Sequence, residues 1–345
     1  ILVKFIFASI LLISATCFIS CEKLEPLYEP PVIIAGTVTQ QLEMGPSYGA
    51  QVYFDFETGK SASNSPYSWD IAFSSSSENK IIINGGKNGV FSACRLGHVS
   101  FSDLVDPSTI EKDEWKHDNP SGNIDSSAFG STLNRKISGN YWEGDSCMYL
   151  IKLGEESDLH DKAFVKLRVI NRNGANYLIE WSYWKDKMPK HSFIPTYPEK
   201  NFTYFCFDCS QGILNEPIDK DEWDILFTRY KEEIYYAQVN QTEGYTVTGV
   251  LSNPESTKTM NLTGVIEYDD IDLEYARGVV FDDHLNNIGY DWKNFSIQAN
   301  KYTINPKNTY LIKSRRGLFY KMKFVDFYND KDETGFPKLA YQLLQ

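Results

Sequence analysis

The chain has 345 residues, of which 42% are hydrophobic and 14% are aromatic. This composition excludes a disordered protein, and the length is enough for about two domains of ~150 residues each. Acidic residues outnumber basic ones by 46 to 34, which gives a net charge of -12. Such an acidic balance argues against the basic surface that binding to nucleic acid requires.

The first twenty residues have the pattern of an export signal. One cation, Lys4, precedes a long apolar run that ends just before Cys21. This order is typical of a secretory signal peptide, and a cysteine at the junction is typical of a lipoprotein whose thiol is acylated. The sequence therefore predicts a signal peptide over residues 1–20, lipidation of Cys21 and a Pro-containing linker over residues 21–31. The alternatives are a junction at Cys17, secretion without a lipid, and an uncleaved membrane anchor.

Most of the remaining chain alternates between apolar and polar residues in short runs. In the segment FYKMKFV at 319–325, Tyr320, Met322 and Phe324 share one face, and this period of two is typical of a half-buried strand. Similar runs rich in β-branched and aromatic residues lie at 52–56, 81–83, 164–170, 177–181, 203–207, 235–239 and 310–313. The sequence predicts an all-β fold of antiparallel sheets with few short helices, including one helical turn within 262–276.

Several segments occur twice in the same order. The matching pairs are YFDF at 53–56 with YFCF at 204–207, WDIAF at 69–73 with WDILF at 223–227, and YLIK at 149–152 and 310–313. Their constant order and similar spacing indicate an internal duplication. We therefore predict two β domains, over residues 32–188 and 189–345, which join near a cluster of prolines.

The two WDIAF-like segments predict core positions, not a site. Their Trp, Ile and Phe side chains alternate onto one face. Asp70 and Asp224 are expected to close a turn or to accept hydrogen bonds from backbone N–H groups.

Taken with NGG at 84–86 and the aromatic tail at 310–341, these segments resemble the HmuY family, in tandem over nearly all of residues 32–345. The resemblance implies all-β lipoproteins at the outer surface of Gram-negative bacteria, which capture haem and pass it to a TonB-dependent outer-membrane receptor. For this chain it implies a non-enzymatic, surface-exposed outer-membrane lipoprotein that binds haem, a porphyrin or another ligand for such a transporter. The alternative is a structural or interaction lipoprotein of an outer-membrane complex that takes no small ligand.

Axial ligands decide whether haem binds, because haem iron requires His, Met, Cys or Tyr in an apolar slot. In the family, one ligand histidine lies five residues after the Trp of a W-x-x-F-S segment. Trp292 begins such a segment here, but the ligand position is Ile297, and the matching position in the first half is Cys147. The second family ligand comes from the middle of the domain. The candidates there are His98, His117, Met260 and His284, with a surface or interior role as the alternative for each.

Four cysteines follow the signal region, in a compartment that permits disulfides. In an extended strand the Cα atoms of Cys206 and Cys209 would be about 10 Å apart, so a bridge between them requires a turn at Asp208. Cys94 and Cys147 are the second candidate pair. No second C-x-x-C segment accompanies the first, and no H-E-x-x-H or G-x-S-x-G segment is present, so neither a metal site nor a catalytic residue is predicted.

Overall fold

The structure is a computed structural model that describes residues 36–345, except residues 134, 139, 140, 238 and 239. The predicted signal peptide, the lipidation site Cys21 and the linker lie outside the described residues. The described part is built from antiparallel strands with only short helices, which confirms the all-β prediction. No helix within this part combines the length and the apolar character needed to cross a membrane.

The strands up to the predicted domain boundary are β1 (Val38–Gln41), β2 (Gln51–Phe54), β3 (Ser61–Asn64), β4 (Ile71–Ser74), β5 (Ile81–Ile83), β6 (Ser92–Gly97), β7 (Arg135–Ser138), β8 (Tyr141–Glu143), β9 (Met148–Lys152), β10 (Phe164–Asn173) and β11 (Asn176–Tyr183). The strands after it are β12 (Lys190–Pro195), β13 (Phe202–Phe205), β14 (Ile213–Asn215), β15 (Ile225–Tyr236), β16 (Gln241–Ser252), β17 (Lys258–Asn261), β18 (Lys293–Ser296), β19 (Lys301–Ile304), β20 (Tyr310–Lys313), β21 (Phe319–Tyr328) and β22 (Thr334–Leu343). The α-helices are α1 (Glu156–Leu159) and α2 (Leu273–Gly278), and the 3-10 helices are Pro107–Thr109, Lys112–Glu114, Ile124–Ser126, His160–Lys162, Lys220–Glu222 and Tyr268–Asp270.

Two apolar cores organise these strands. The first core lies between a sheet that contains β6 and β9 to β12 and a four-stranded sheet of order β14-β13-β4-β5. The second core lies between a five-stranded sheet of order β1-β22-β21-β20-β17 and a four-stranded sheet of order β16-β15-β2-β3. The two cores thus repeat one arrangement of strands, as the duplicated segments lead one to expect.

Strand β21 shows how the period of two places side chains in this fold. Tyr320, Met322 and Phe324 pack in the second core, as their alternation predicts. Lys321 points to the opposite face, where its Nζ donates to the carbonyl oxygens of Tyr268 and Ile271 at 3.0 and 3.1 Å. The charged end of this buried lysine is therefore satisfied by backbone carbonyls.

Opening strands of each half pair with strands of the other half, and two of these partners begin within the WDIAF-like segments. Strand β2 pairs with β15, and β13 pairs with β4. Strand β1 likewise pairs with β22, and β12 pairs with β11. The domain boundary between residues 188 and 189 stays a prediction. The structure shows in addition that β2, which belongs to the first half, completes the second core.

Candidate ligand-binding site

Strands β2 and β13, which we call the exchanged strands because each pairs with a strand of the other half, meet through one pair of tyrosines. The hydroxyl oxygens of Tyr53 on β2 and Tyr204 on β13 are 2.6 Å apart, and both side chains are buried. The Gln51 side chain donates to the Tyr53 hydroxyl at 3.1 Å and accepts from the Thr228 hydroxyl at 3.1 Å. A buried chain of polar groups therefore links β15, β2 and β13.

The repeated aspartates fasten these same strands. Asp224 accepts a hydrogen bond from the backbone N–H of Phe56 at 2.9 Å, and Asp70 accepts one from the backbone N–H of Phe207 at 2.7 Å. In both cases the aspartate holds the chain just beyond the exchanged strand. Both aspartates therefore have the expected role of accepting hydrogen bonds from backbone N–H groups. The donors lie in the segments that follow β2 and β13.

A cavity of about 920 Å³ has Tyr204 in its wall. Its apolar lining comes from both halves of the chain and includes Trp69, Ile82, Phe202, Trp223 and Leu226. The Trp69 ring stacks on Tyr204 with centroids 4.8 Å apart, and the repeat-related Trp223 meets Tyr53 edge to face at 5.1 Å. This volume and this aromatic lining are typical of sites for small ligands and cofactors, which usually span ~300–1,000 Å³.

Two carboxyl groups also line the cavity, the buried Glu216 and the half-buried Asp118. Burial raises the pKa of Glu216 to about 7, although its Oε2 accepts the backbone N–H of Asn201 at 2.8 Å. Burial likewise raises the pKa of Asp118 to about 6, and its two oxygens accept the N–H groups of Ile83 at 2.6 Å and Ala128 at 2.8 Å. Perturbed carboxyl groups that converge on one cavity are frequent at functional sites.

The four predicted haem ligands lie in different surroundings. His284 lines the cavity, with its side chain 63% exposed and its Nδ1 3.8 Å from a carboxylate oxygen of Asp282. His98 is exposed just after β6, His117 is partly buried with no hydrogen-bond partner for its Nδ1, and Met260 on β17 packs on a separate apolar cluster. Only His284 of the four contributes to the cavity wall. Nowhere in the described ranges do three or more His, Cys, Asp or Glu side chains group in a way that holds a metal ion.

The position of the family ligand histidine lies elsewhere on the surface. Trp292 is buried and stacks on Phe324 with centroids 3.9 Å apart. Ile297, just after β18, is 87% exposed. The matching residue of the first half, Cys147, is buried in the first core.

The cysteines adopt one of the two expected pairings. The chain bends directly after β13, and Cys206 and Cys209 form a disulfide with Cα atoms 5.5 Å apart. Cys94 and Cys147 are free thiols, in contrast to the predicted bridge. Cys147 packs in the first core with Ala93, and Cys94 follows Ala93 in β6, so its side chain points to the other face of the sheet.

The sequence does not predict the cavity or the tyrosine pair beside it. Tyr53 and Tyr204 are repeat equivalents, but nothing in their spacing indicates that their hydroxyl groups meet. Glu216 carries no motif, and it stands out only because the fold buries it. The usable signal is the duplication itself, since equivalent residues of a repeat can meet where the two copies pack together.

Comparison with known proteins places the chain in a family. The model of the family described as "HmuY protein" matches residues 47–341 in a single span across both halves. The comparison with curated proteins gave no match.

Solved structures show distant similarity. Apo PinO from Porphyromonas gingivitis shares 11% identity, with 90% of this chain and 99% of that chain covered and a TM-score of 0.27. The apo HmuY analog of Tannerella forsythia shares 13% identity, with 90% and 98% covered and a TM-score of 0.24. A Bacteroides vulgatus protein described as HmuY-like and heme-binding shares 9% identity, with 88% and 90% covered and a TM-score of 0.21. Because these TM-scores are low, the assignment depends on the family match, and on that match the chain belongs to the HmuY family.

Proposed function

We propose that this protein is a non-enzymatic binding protein that captures haem, or another ligand of similar size, in the cavity beside the Tyr53–Tyr204 pair. The observation that carries the proposal is the HmuY family match over residues 47–341. The cavity of about 920 Å³ supports it, because its size and its tryptophan-rich lining suit a flat aromatic ligand. His284 is the one predicted axial ligand in its wall, so it is the proposed contact to the iron.

The cellular setting is part of the same proposal. The apolar run before Cys21 supports a lipid anchor, and family resemblance supports the outer surface of a Gram-negative bacterium. A TonB-dependent transporter in the outer membrane is the proposed recipient of the ligand.

Haem titration followed by absorbance tests this proposal. We expect a saturable, sharp Soret band for the chain, and at least about tenfold weaker binding when the imidazole is removed in His284→Ala. His98→Ala and Met260→Ala are matched controls, because neither residue lines the cavity. A weak, unsaturating band that none of these substitutions changes would show that haem is not the ligand.

A second candidate function is partner docking without a small ligand. Phe295 and Ile297 are 50% and 87% exposed at the β18–β19 hairpin, and the Phe295 ring contacts Tyr302 at 5.0 Å. Exposed apolar residues that lie together mark many interaction surfaces. If this function holds, Phe295→Ser with Ile297→Ser abolishes co-purification with an outer-membrane complex, while Val280→Ser, at a similarly exposed position, leaves it intact.

A further inference from the structure

The tyrosine pair has one more hydroxyl proton than it uses. Tyr53 and Tyr204 share a single O···O contact of 2.6 Å, so only one of the two hydroxyls donates to the other. The Tyr53 oxygen also accepts from Gln51. Burial raises the pKa of both phenols well above the ordinary value, so both carry their protons at neutral pH. One O–H group is therefore left without an acceptor in the pair.

The position of the two rings decides which hydroxyl has the spare proton. Tyr53 is fully buried and does not line the cavity, whereas Tyr204 does. An unused donor costs more in the interior than beside a cavity that a ligand or water can enter. Tyr53 therefore donates to Tyr204, and the Tyr204 hydroxyl keeps a proton for an acceptor in the cavity.

Two further donors in the same wall have no partner. The indole N–H groups of Trp69 and Trp223 are buried and make no hydrogen bond, although Trp side chains usually satisfy this group when buried. The two tryptophans are repeat equivalents, one from each WDIAF-like segment. One acceptor of the wall, Asn201 Oδ1, is also buried without a partner. Donors without partners thus outnumber acceptors, and the wall favours a ligand with acceptor oxygens.

The charges of the wall favour an acidic ligand. Lys80, Arg229 and Lys231 line the cavity, and none of them forms an ion pair with a described carboxylate. Lys80 and Lys231 donate to backbone carbonyl oxygens, and Arg229 donates to a tyrosine hydroxyl. Burial lowers the pKa of Lys80 and the nearby charges of Asp118 and Glu78 oppose that shift. The charges of Arg229 and Lys231 are therefore the ones that no ion pair offsets among the described residues.

The carboxylates of the wall are mostly engaged. Asp118 and Glu216 accept backbone N–H groups. Glu255 and Asp283 each pair with a lysine of the wall, at 2.8 and 2.5 Å. Glu78 is exposed to solvent. The wall holds five acidic and five basic side chains. Its preference for an anion therefore rests on Arg229 and Lys231, which have no ion-pair partner among the described residues, and on the donors without partners.

We propose that the cavity binds an aromatic anion whose acidic oxygens accept a hydrogen bond from the Tyr204 hydroxyl, while its rings pack on the tryptophan-lined wall. The inference deepens the proposed function and rests on it only in taking the cavity as the ligand site. It names the chemical class of the ligand and a binding residue, and it requires no iron.

Two metal-free fluorescent probes test this inference. The anionic probe is 8-anilinonaphthalene-1-sulfonate, and the control is uncharged N-phenyl-1-naphthylamine, which has the same rings without the sulfonate. We expect the anion to bind saturably at one site per chain and at least about tenfold more tightly than the uncharged probe. Tyr204→Phe should weaken binding of the anion by about tenfold and leave binding of the uncharged probe unchanged.

Tyr53→Phe is the matched control variant. It breaks the same O···O contact and also removes the acceptor of the Gln51 amide, so it disturbs the fold at least as much as Tyr204→Phe does, but it leaves the Tyr204 hydroxyl free to donate. Anion binding should therefore survive in Tyr53→Phe, and thermal unfolding of both variants shows that each is folded. Equal affinity for the two probes, equal losses in the two variants, or no saturable binding of the anion would each overturn the inference. Because neither probe contains iron, a negative haem titration leaves this result standing.

Discussion

Asp224→Ala tests how firmly the exchanged strand β2 is held in the second core. The Asp224 carboxylate accepts the backbone N–H of Phe56 and the hydroxyl of Thr257, each at 2.9 Å. All three residues are buried, so the alanine variant leaves an N–H and a hydroxyl without partners in the interior. Each buried unsatisfied group costs about 1–3 kcal/mol. We therefore expect the free energy of unfolding to fall by about 2–5 kcal/mol.

The loss should depend on pH. Burial raises the pKa of Asp224 above its ordinary value, and the charges of Asp55 and Glu57 add to the increase. The folded state then holds this proton more tightly than the unfolded state does, so the carboxyl group destabilises the fold increasingly as pH rises towards the raised pKa. At pH 8 the alanine variant also removes a buried negative charge. The cost of Asp224→Ala should therefore be smaller at pH 8 than at pH 5.

Urea titration of tryptophan fluorescence at pH 5 and pH 8 gives the two free energies. Asp224→Asn should cost only about 1 kcal/mol, because its amide oxygen still accepts from Phe56 and its NH₂ can donate to Thr257. Asp270→Ala, at an exposed position, should change stability by less than about 0.5 kcal/mol. Hydrogen exchange should further show that Asp224→Ala speeds exchange in β2 more than in β21. A loss for Asp224→Ala no larger than that for Asp270→Ala would refute the role assigned to this carboxylate.

Three further changes test other contacts. Because the pKa of Glu216 is raised to about 7, the free energy of unfolding should fall between pH 5 and pH 8. Urea titrations at the two pH values should show that Glu216→Gln reduces this fall by up to about 3 kcal/mol. An unchanged fall would contradict the effect of this carboxyl group. A Cβ at Gly86 would lie 2.1 Å from a backbone oxygen of β15, so Gly86→Ala should lower thermal stability by roughly 2 kcal/mol, whereas Gly89→Ala, with open space at its Cβ, should not. Replacing Cys206 and Cys209 together by Ala removes a short loop closure and should cost no more than about 2 kcal/mol in urea unfolding; a larger loss would mean that the bridge constrains more than its own turn.

Local patterns in the sequence determined the strands and the duplication. Alternation at 319–325 correctly predicts which side chains of β21 enter the core, because a strand places successive residues on opposite faces. The repeated WDIAF-like segments predict core positions, and Trp69 and Trp223 are buried. The family resemblance came from the same segments, and the family match confirms it. These features depend on residues close together in the chain, which is why the sequence suffices for them.

Only the tertiary structure decided which strands pair across the duplication and what lines the cavity. The pairing of strand β2 with β15 joins residues more than 150 positions apart, a choice that no local period encodes. Side-chain chemistry alone makes His98, His117 and Met260 candidate ligands alongside His284, although of these four only His284 lines the cavity. Glu216 belongs to no pattern in the sequence, and the repeat that contains Tyr204 does not indicate that this residue lines a cavity. Their importance comes from burial and from neighbours that folding brings together, and long-range packing alone supplies both.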